Sequence, residues 1–235
     1  MELEPEHASD ILRNGELDVL GRMAWSSNAT MLVTAALDGV EMPAVYKPLR
    51  GERPLWDFPD GTLCNREVAS YELSAETGWE IVPETVLRDG PYGLGMVQRF
   101  IEHDPEEHYF TLLETHADEL RKFAVFDVLA NNADRKGGHC LRSLHYDHIW
   151  GIDHGLTFHV APKLRTVIWD FADEQIAPEL LDVVCRVRGA LDARLESLLS
   201  RSEITAVADR ADELVRRGRF PAPDEGYHSV PWPLV

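Results

Sequence analysis

The segment Asp127-Val-Leu-Ala-Asn131-Asn132-Ala133-Asp134-Arg135-Lys136-Gly-Gly-His139 sets acids, amides and cations in one polar turn directly after an apolar run. A little further on, Ile152-Asp153-His154-Gly155-Leu156 places a second acid before a His-Gly pair. Phosphoryl transfer needs that mixture: an acid to orient the attacking hydroxyl, carboxylates to hold a divalent cation, and a cation for the group in flight. Turns like Asp153-His154-Gly155 are common and say little alone. A loop as polar as 131–136 between apolar elements is uncommon without a task.

The same stretch allows a different chemistry. His139, His145, Asp147, His148, Asp153, His154 and His159 fall within 21 residues, and imidazole with carboxylate is a ligand set for Zn²⁺ or Mn²⁺. A metal-dependent hydrolase built on residues 139–159 is therefore an alternative expectation, although no HExxH or other spacing of known geometry occurs.

The elements that must position these groups can be read from pattern and punctuation. A short helix is expected around 9–13, followed by strands at 17–25, 30–37 and 41–46, with Ser26-Ser27-Asn28 and Asp38-Gly39 as turns. Residues 48–61, rich in proline and turn formers, read as a loop, and 63–77 as a helix stopped by Gly78. Strands at 81–87 and 95–101, separated by Arg88-Asp89-Gly90-Pro91, complete a small α+β unit ending near Glu102. Beyond it come a helix over 117–130, short strands at 140–144 and 149–152, and a long helix over 178–199. A last helix over 202–217 ends at Gly218, and the final 17 residues form an irregular tail.

Composition narrows the partners. A formal charge of −18 opposes nucleic acid and anionic membranes, both of which need a basic face. No run of about 18 apolar residues suggests membrane insertion, and an acidic start unlike a secretory signal makes the cytoplasm the expected compartment. Cys64, Cys140 and Cys185 are odd in number, widely spaced and without a CxxC pair, so they read as packing residues. The 235 residues suffice for one compact domain or two small lobes.

Asn132-Ala133-Asp134-Arg135 resembles the Asn-x-Asp-Arg catalytic loop of type II phosphatidylinositol 4-kinases and HipA-type kinases. Ile152-Asp153-His154-Gly155-Leu156 is similar to their Ile-Asp-Asn-Gly-Leu. Upstream, Val45-Tyr46-Lys47-Pro48 resembles the strand presenting the ATP lysine, Arg66-Glu67-Val68-Ala69 the helix whose glutamate pairs with it, and residues 95–102 the hinge strand. The match spans about 32–158 and points to the phosphatidylinositol 3-/4-kinase-like branch, beside which an actinobacterial group is placed.

The resemblance implies an α+β, two-lobed, protein-kinase-like fold: an N-lobe, 1–102, of antiparallel sheet plus one helix, and a mostly helical C-lobe, 103–235. It implies ATP with Mg²⁺ or Mn²⁺ as cofactors. Lys47, held by Glu67, would contact the phosphates, the turn at Ser27 and Asn28 would cover them, and Gln98, Arg99, Phe100 and Ile101 would supply the adenine edge. Asp134 would orient the hydroxyl, Lys136 would neutralise the transferred phosphate, and Asn132 and Arg135 would complete the catalytic loop. Asp153 would hold the metal. His139 stands where the family has a second metal-ligating Asn, and imidazole suits Mn²⁺ or Zn²⁺ better than Mg²⁺. That departure and the glycine-poor turn at 26–28 keep a nucleotide-binding pseudokinase open, and since a kinase-like fold can also transfer AMP, an AMP-transferring protein stands beside a phosphotransferase acting on a protein or small polar substrate.

Overall fold

A computed structural model describes residues 5–23, 29–224 and 228–235; the expected turn at Ser27 and Asn28 lies outside them. Strands β1 (Glu16–Arg22), β2 (Met31–Leu37), β3 (Val40–Pro48), β4 (Thr85–Gly90) and β5 (Gly93–Arg99) form an antiparallel sheet in the order β1-β2-β3-β5-β4. The β2–β3 hairpin turns on Asp38 and Gly39, both with positive φ, 51° and 79°, as a two-residue turn matched to strand twist requires.

Side chains alternate across the sheet with period two. Val33, Ala35, Ala44, Tyr46, Val86 and Val97 pack on one face against Ala8, Ile11 and Leu12 of α1 (Pro5–Asn14). Met96 and Leu87 pack on the other against Cys64 and Val68 of α2 (Leu63–Thr77). Tyr46 therefore faces α1, and its neighbour Lys47, paired in register with Met96, faces α2. Gly95 makes this crossing possible: a Cβ there would lie 2.4 Å from the Lys47 carbonyl oxygen, so no larger residue fits. The Glu52 carboxylate accepts from the N–H groups of Leu63 and Cys64, at 3.2 and 2.8 Å, at the positive end of α2. Gly78 closes that helix at φ 70°.

Two expectations are corrected here. Ile81 and Val82 do not begin a strand; they are buried in the helical core, and the Gly151 N–H donates to the Ile81 carbonyl at 2.6 Å. Arg88 to Gly90 are strand, not turn, and the chain reverses at Pro91-Tyr92, between the paired Gly90 and Gly93. An apolar run cannot reveal which core will bury it.

The remaining chain is mostly helical: α3 (Tyr109–Leu112), α4 (Ala117–Ala130), α5 (Pro178–Leu195) and α6 (Arg201–Arg217), with a two-stranded ribbon of β6 (Cys140–Arg142) and β7 (Ile149–Gly151). Leu120, Phe123, Phe126 and Leu129 of α4 meet Val184, Val187 and Leu191 of α5 and Ile204 and Val207 of α6. The α5 helix stops at Leu195, short of 199, because Ser200 opens α6 with a capping box to Glu203. Residues 228–235 carry no helix or strand. Cys64 and Cys140 are buried as expected, whereas Cys185 is exposed. The fold is thus α+β, an antiparallel sheet with helices.

Candidate active site

Lys47 Nζ lies 2.6 Å from Glu67 Oε1 and 2.8 Å from Asp153 Oδ1. Three residues separated by up to 106 positions thus meet because β3 and α2 present Lys47 and Glu67 to each other while the turn after β7 brings in Asp153. The second Glu67 oxygen accepts the His154 N–H at 2.8 Å, tying α2 to that turn. Asp153 itself has φ 62°, a left-handed conformation that a non-glycine residue holds only where its surroundings impose it. Burial opposes the charge on Lys47, but the two carboxylates outweigh it and keep the ammonium above its usual range. Lys47 in turn holds Asp153 below the usual carboxylate range, so Asp153 is ionised near pH 7. Burial raises Glu67, with Lys47 opposing.

The catalytic-loop candidates divide into two groups. Asp134 lines the cavity beside Lys47, with Lys136 Nζ 3.1 Å from Asp134 Oδ2. Burial raises the Asp134 carboxyl, and Lys136 offsets part of that. Asn132 and Arg135, expected to complete the same loop, instead point into the protein and are almost wholly buried. They converge on Asp127, which sequence reading had given no role. Its carboxylate accepts from Asn132 Nδ2 at 2.9 Å, Arg135 Nε at 3.1 Å and Nη2 at 2.9 Å, and Thr166 Oγ1 at 3.2 Å. Asn132 Oδ1 accepts the Asp134 N–H at 3.0 Å, so the buried network sets the backbone that carries Asp134. The one clue in sequence was a lone acid inside the apolar run Phe123-Ala-Val-Phe-Asp127-Val-Leu-Ala.

The histidines do not form a metal cluster. His145 pairs with Glu102, His116 with Asp147, and His148 bonds the Glu80 carbonyl. His154 is buried, accepting from Arg135 Nη2 at 2.6 Å, so its proton sits on Nδ1; burial and Arg135 hold it well below the ordinary histidine range. Among the described residues no group of three or more His, Cys, Asp or Glu could hold a metal ion. His139 Nε2 lies 3.6 Å from Asp153 Oδ2, and burial lowers this imidazole to about 4, so it is neutral near pH 7. Its Nδ1 accepts the Lys136 N–H at 3.4 Å, which leaves the Nε2 proton turned towards Asp153.

A cavity of about 290 Å³ lies over these groups, lined by Lys47, Glu67, Asp134, Asp153, Met96 and Leu156 among others. Arg99, Phe100 and Ile101 line a separate cavity of about 450 Å³ with Pro43, His145 and Tyr146. The Gln98 side chain is buried against Thr85, and Arg99 pairs with Glu84 and stacks on Trp150. The N–H groups of Arg99 and Phe100 already donate to Glu84 and Pro43.

A sheet stacked on a helical body, with a lysine held between a helical glutamate and an aspartate after a short ribbon, defines a protein of the kinase-like fold. Solved structures agree: the Golgi casein kinase with Mn and ADP bound superposes with TM-score 0.58 and 14% identity, covering 90% of this chain and 74% of that one. The Helicobacter pylori proinflammatory kinase CtkA gives 0.52 and 14%, covering 89% and 94%. No family model matches. The chain is 41% identical over 269 aligned positions to Protein Rv2133c of Mycobacterium tuberculosis, covering 98% of this chain and 95% of that one, and it belongs to that protein's family. No described helix is long and apolar enough to cross a membrane.

Proposed function

We propose that this protein is an ATP- and divalent-metal-dependent phosphotransferase of the phosphatidylinositol 3-/4-kinase-like type, acting on a protein or a small polar acceptor. The observation that carries the reading is Lys47 Nζ bridging Glu67 and Asp153 on the wall of a cavity that also holds Asp134. A lysine so placed binds phosphate oxygens when a nucleotide takes the place of Asp153 as its partner. Asp153 is an ionised, half-exposed carboxylate, a hard oxygen donor suited to Mg²⁺ or Mn²⁺. With so few protein ligands, the phosphates must complete the coordination, and the metal when bound neutralises charge on them. Asp134, raised by burial, accepts the hydroxyl proton of the acceptor, and Lys136 lies beside the transferred group. The buried Asp127 network keeps Asp134 aimed. In this reading the lobes divide near Glu102 and the nucleotide enters between them. The charge of −18 disfavours lipid and nucleic-acid acceptors.

The test is to incubate the purified chain with labelled ATP and Mg²⁺ or Mn²⁺, alone and with acceptor pools, and to follow added phosphate or AMP by mass spectrometry. Phosphate addition lost in Lys47→Met and Asp153→Asn is the expected result. AMP addition would replace the reaction type, and no nucleotide-dependent stabilisation with any divalent metal would overturn the reading.

A further inference from the structure

Arg66 precedes Glu67 on α2, and its side chain is only 2% exposed. Its Nη1 donates to the Thr157 carbonyl at 2.6 Å and its Nε to Thr62 Oγ1 at 3.2 Å. Nη2 donates to the carboxylate of Glu203 on α6. Glu203 is itself fixed, because its other oxygen accepts the Ser200 N–H at 2.8 Å at the start of α6. One turn further along α2, Ser70 Oγ lies 3.4 Å from Thr157 Oγ1, and that hydroxyl donates to the His154 carbonyl at 2.7 Å. Glu67 takes the His154 N–H. Both ends of the turn 154–157, which follows Asp153 directly, are therefore gripped from α2.

We propose that Arg66, with Glu203 as its counterion, is a positioning residue that sets Asp153 for metal binding by holding the turn 154–157 against α2. The proposal rests on the phosphotransferase reading. A buried ion pair is no gain over an apolar pair of equal volume, so stability alone does not account for a guanidinium here. What it adds is direction: a rigid fork addresses a carbonyl on one side and a carboxylate on the other. The left-handed backbone of Asp153 needs such external restraint. Further bonds fasten α2 to α5, from Arg186 to the Thr77 carbonyl and from Arg194 to Glu72 and Glu76. The helix that carries Glu67 is thus fixed to the helical body as well as to the sheet.

The test compares Arg66→Lys, Glu203→Gln and, as a control of general destabilisation, Val207→Ala in the α6 core. Two quantities are read on the full chain: amide hydrogen exchange at residues 154–157, and the Mn²⁺ concentration giving half of the thermal stabilisation by saturating ADP. Arg66→Lys keeps the charge but not the fork, so exchange should quicken and the Mn²⁺ midpoint should rise about tenfold, as for outer partners of metal ligands. Glu203→Gln should move both in the same direction by less. Val207→Ala should lower the melting temperature and move neither. If Arg66→Lys moves exchange and midpoint no further than Val207→Ala does, the positioning role is overturned. A wild-type chain with no Mn²⁺–ADP response overturns the phosphotransferase reading and the metal role with it, while the exchange comparison still decides whether Arg66 holds the turn.

Discussion

Replacing Asp127 by alanine strands the Arg135 guanidinium, which is fully buried, without its counterion. Removing one partner of such a pair costs about 3–5 kcal/mol. Weak contacts from Arg135 Nη1 to the carbonyls of His139 and Ile152, at 3.4 and 3.3 Å, do not neutralise the charge. At about 2–4 °C per kcal/mol for a chain of this size, the melting temperature should fall by roughly 6–20 °C. Asp127→Asn keeps the shape but turns an N–H₂ towards a ring of donors, and loses about half as much, in line with a charged hydrogen bond worth about 1.5–3 kcal/mol. Asp127→Leu combined with Arg135→Met removes both charges and should recover most of the loss. Thermal and urea unfolding of the single and double variants give the coupling energy directly. A fall of less than about 2 °C in Asp127→Ala, or losses that simply add in the double variant, would refute the buried network as the support of the loop 131–136.

Asp153→Ala should weaken metal-dependent nucleotide binding by tenfold or more, whereas Asp134→Ala should leave it within a few-fold while removing most turnover; calorimetry and turnover on both variants would expose an equal loss of binding as the contrary result. Because no three-ligand metal cluster exists among the described residues, Mg²⁺ or Mn²⁺ alone should not raise the melting temperature, while metal with ATP should, as differential scanning fluorimetry would show. His139→Asn should raise Mg²⁺-supported turnover, since an amide oxygen suits Mg²⁺ better than an imidazole does; unchanged metal preference and rate would count against any role at this position. Burial pushes the Cys64 and Cys140 thiols up, the latter to about 12, so alkylation of the native chain should modify exposed Cys185 first and leave the other two for the unfolded state, as peptide mapping would reveal.

The residues that meet at the candidate site stood out in sequence because each sits at a punctuated place: Lys47 on a strand after a hairpin, Glu67 on a well-terminated helix, Asp134 in a polar turn and Asp153 before His-Gly. Local periodicity and turn residues likewise located most elements, since hydrogen bonding within a hairpin or helix depends on near neighbours. Other features were beyond its reach. No local signal says that Asn132 and Arg135 turn inward on Asp127, because which face of a loop is buried depends on the helix it rests against. None says that the histidines of 139–159 scatter to separate partners, or that residues 99–101 line a different cavity from Lys47. Ile81 and Val82 have the apolarity of a strand, and only the packed helical body claims them. Arg66 stands in the sequence only as the residue before Glu67, and the fold alone brings Glu203, 137 residues away, against it. Such long-range choices are settled by the exclusion of water from a shared core, and chain order alone does not encode which side chains will share it.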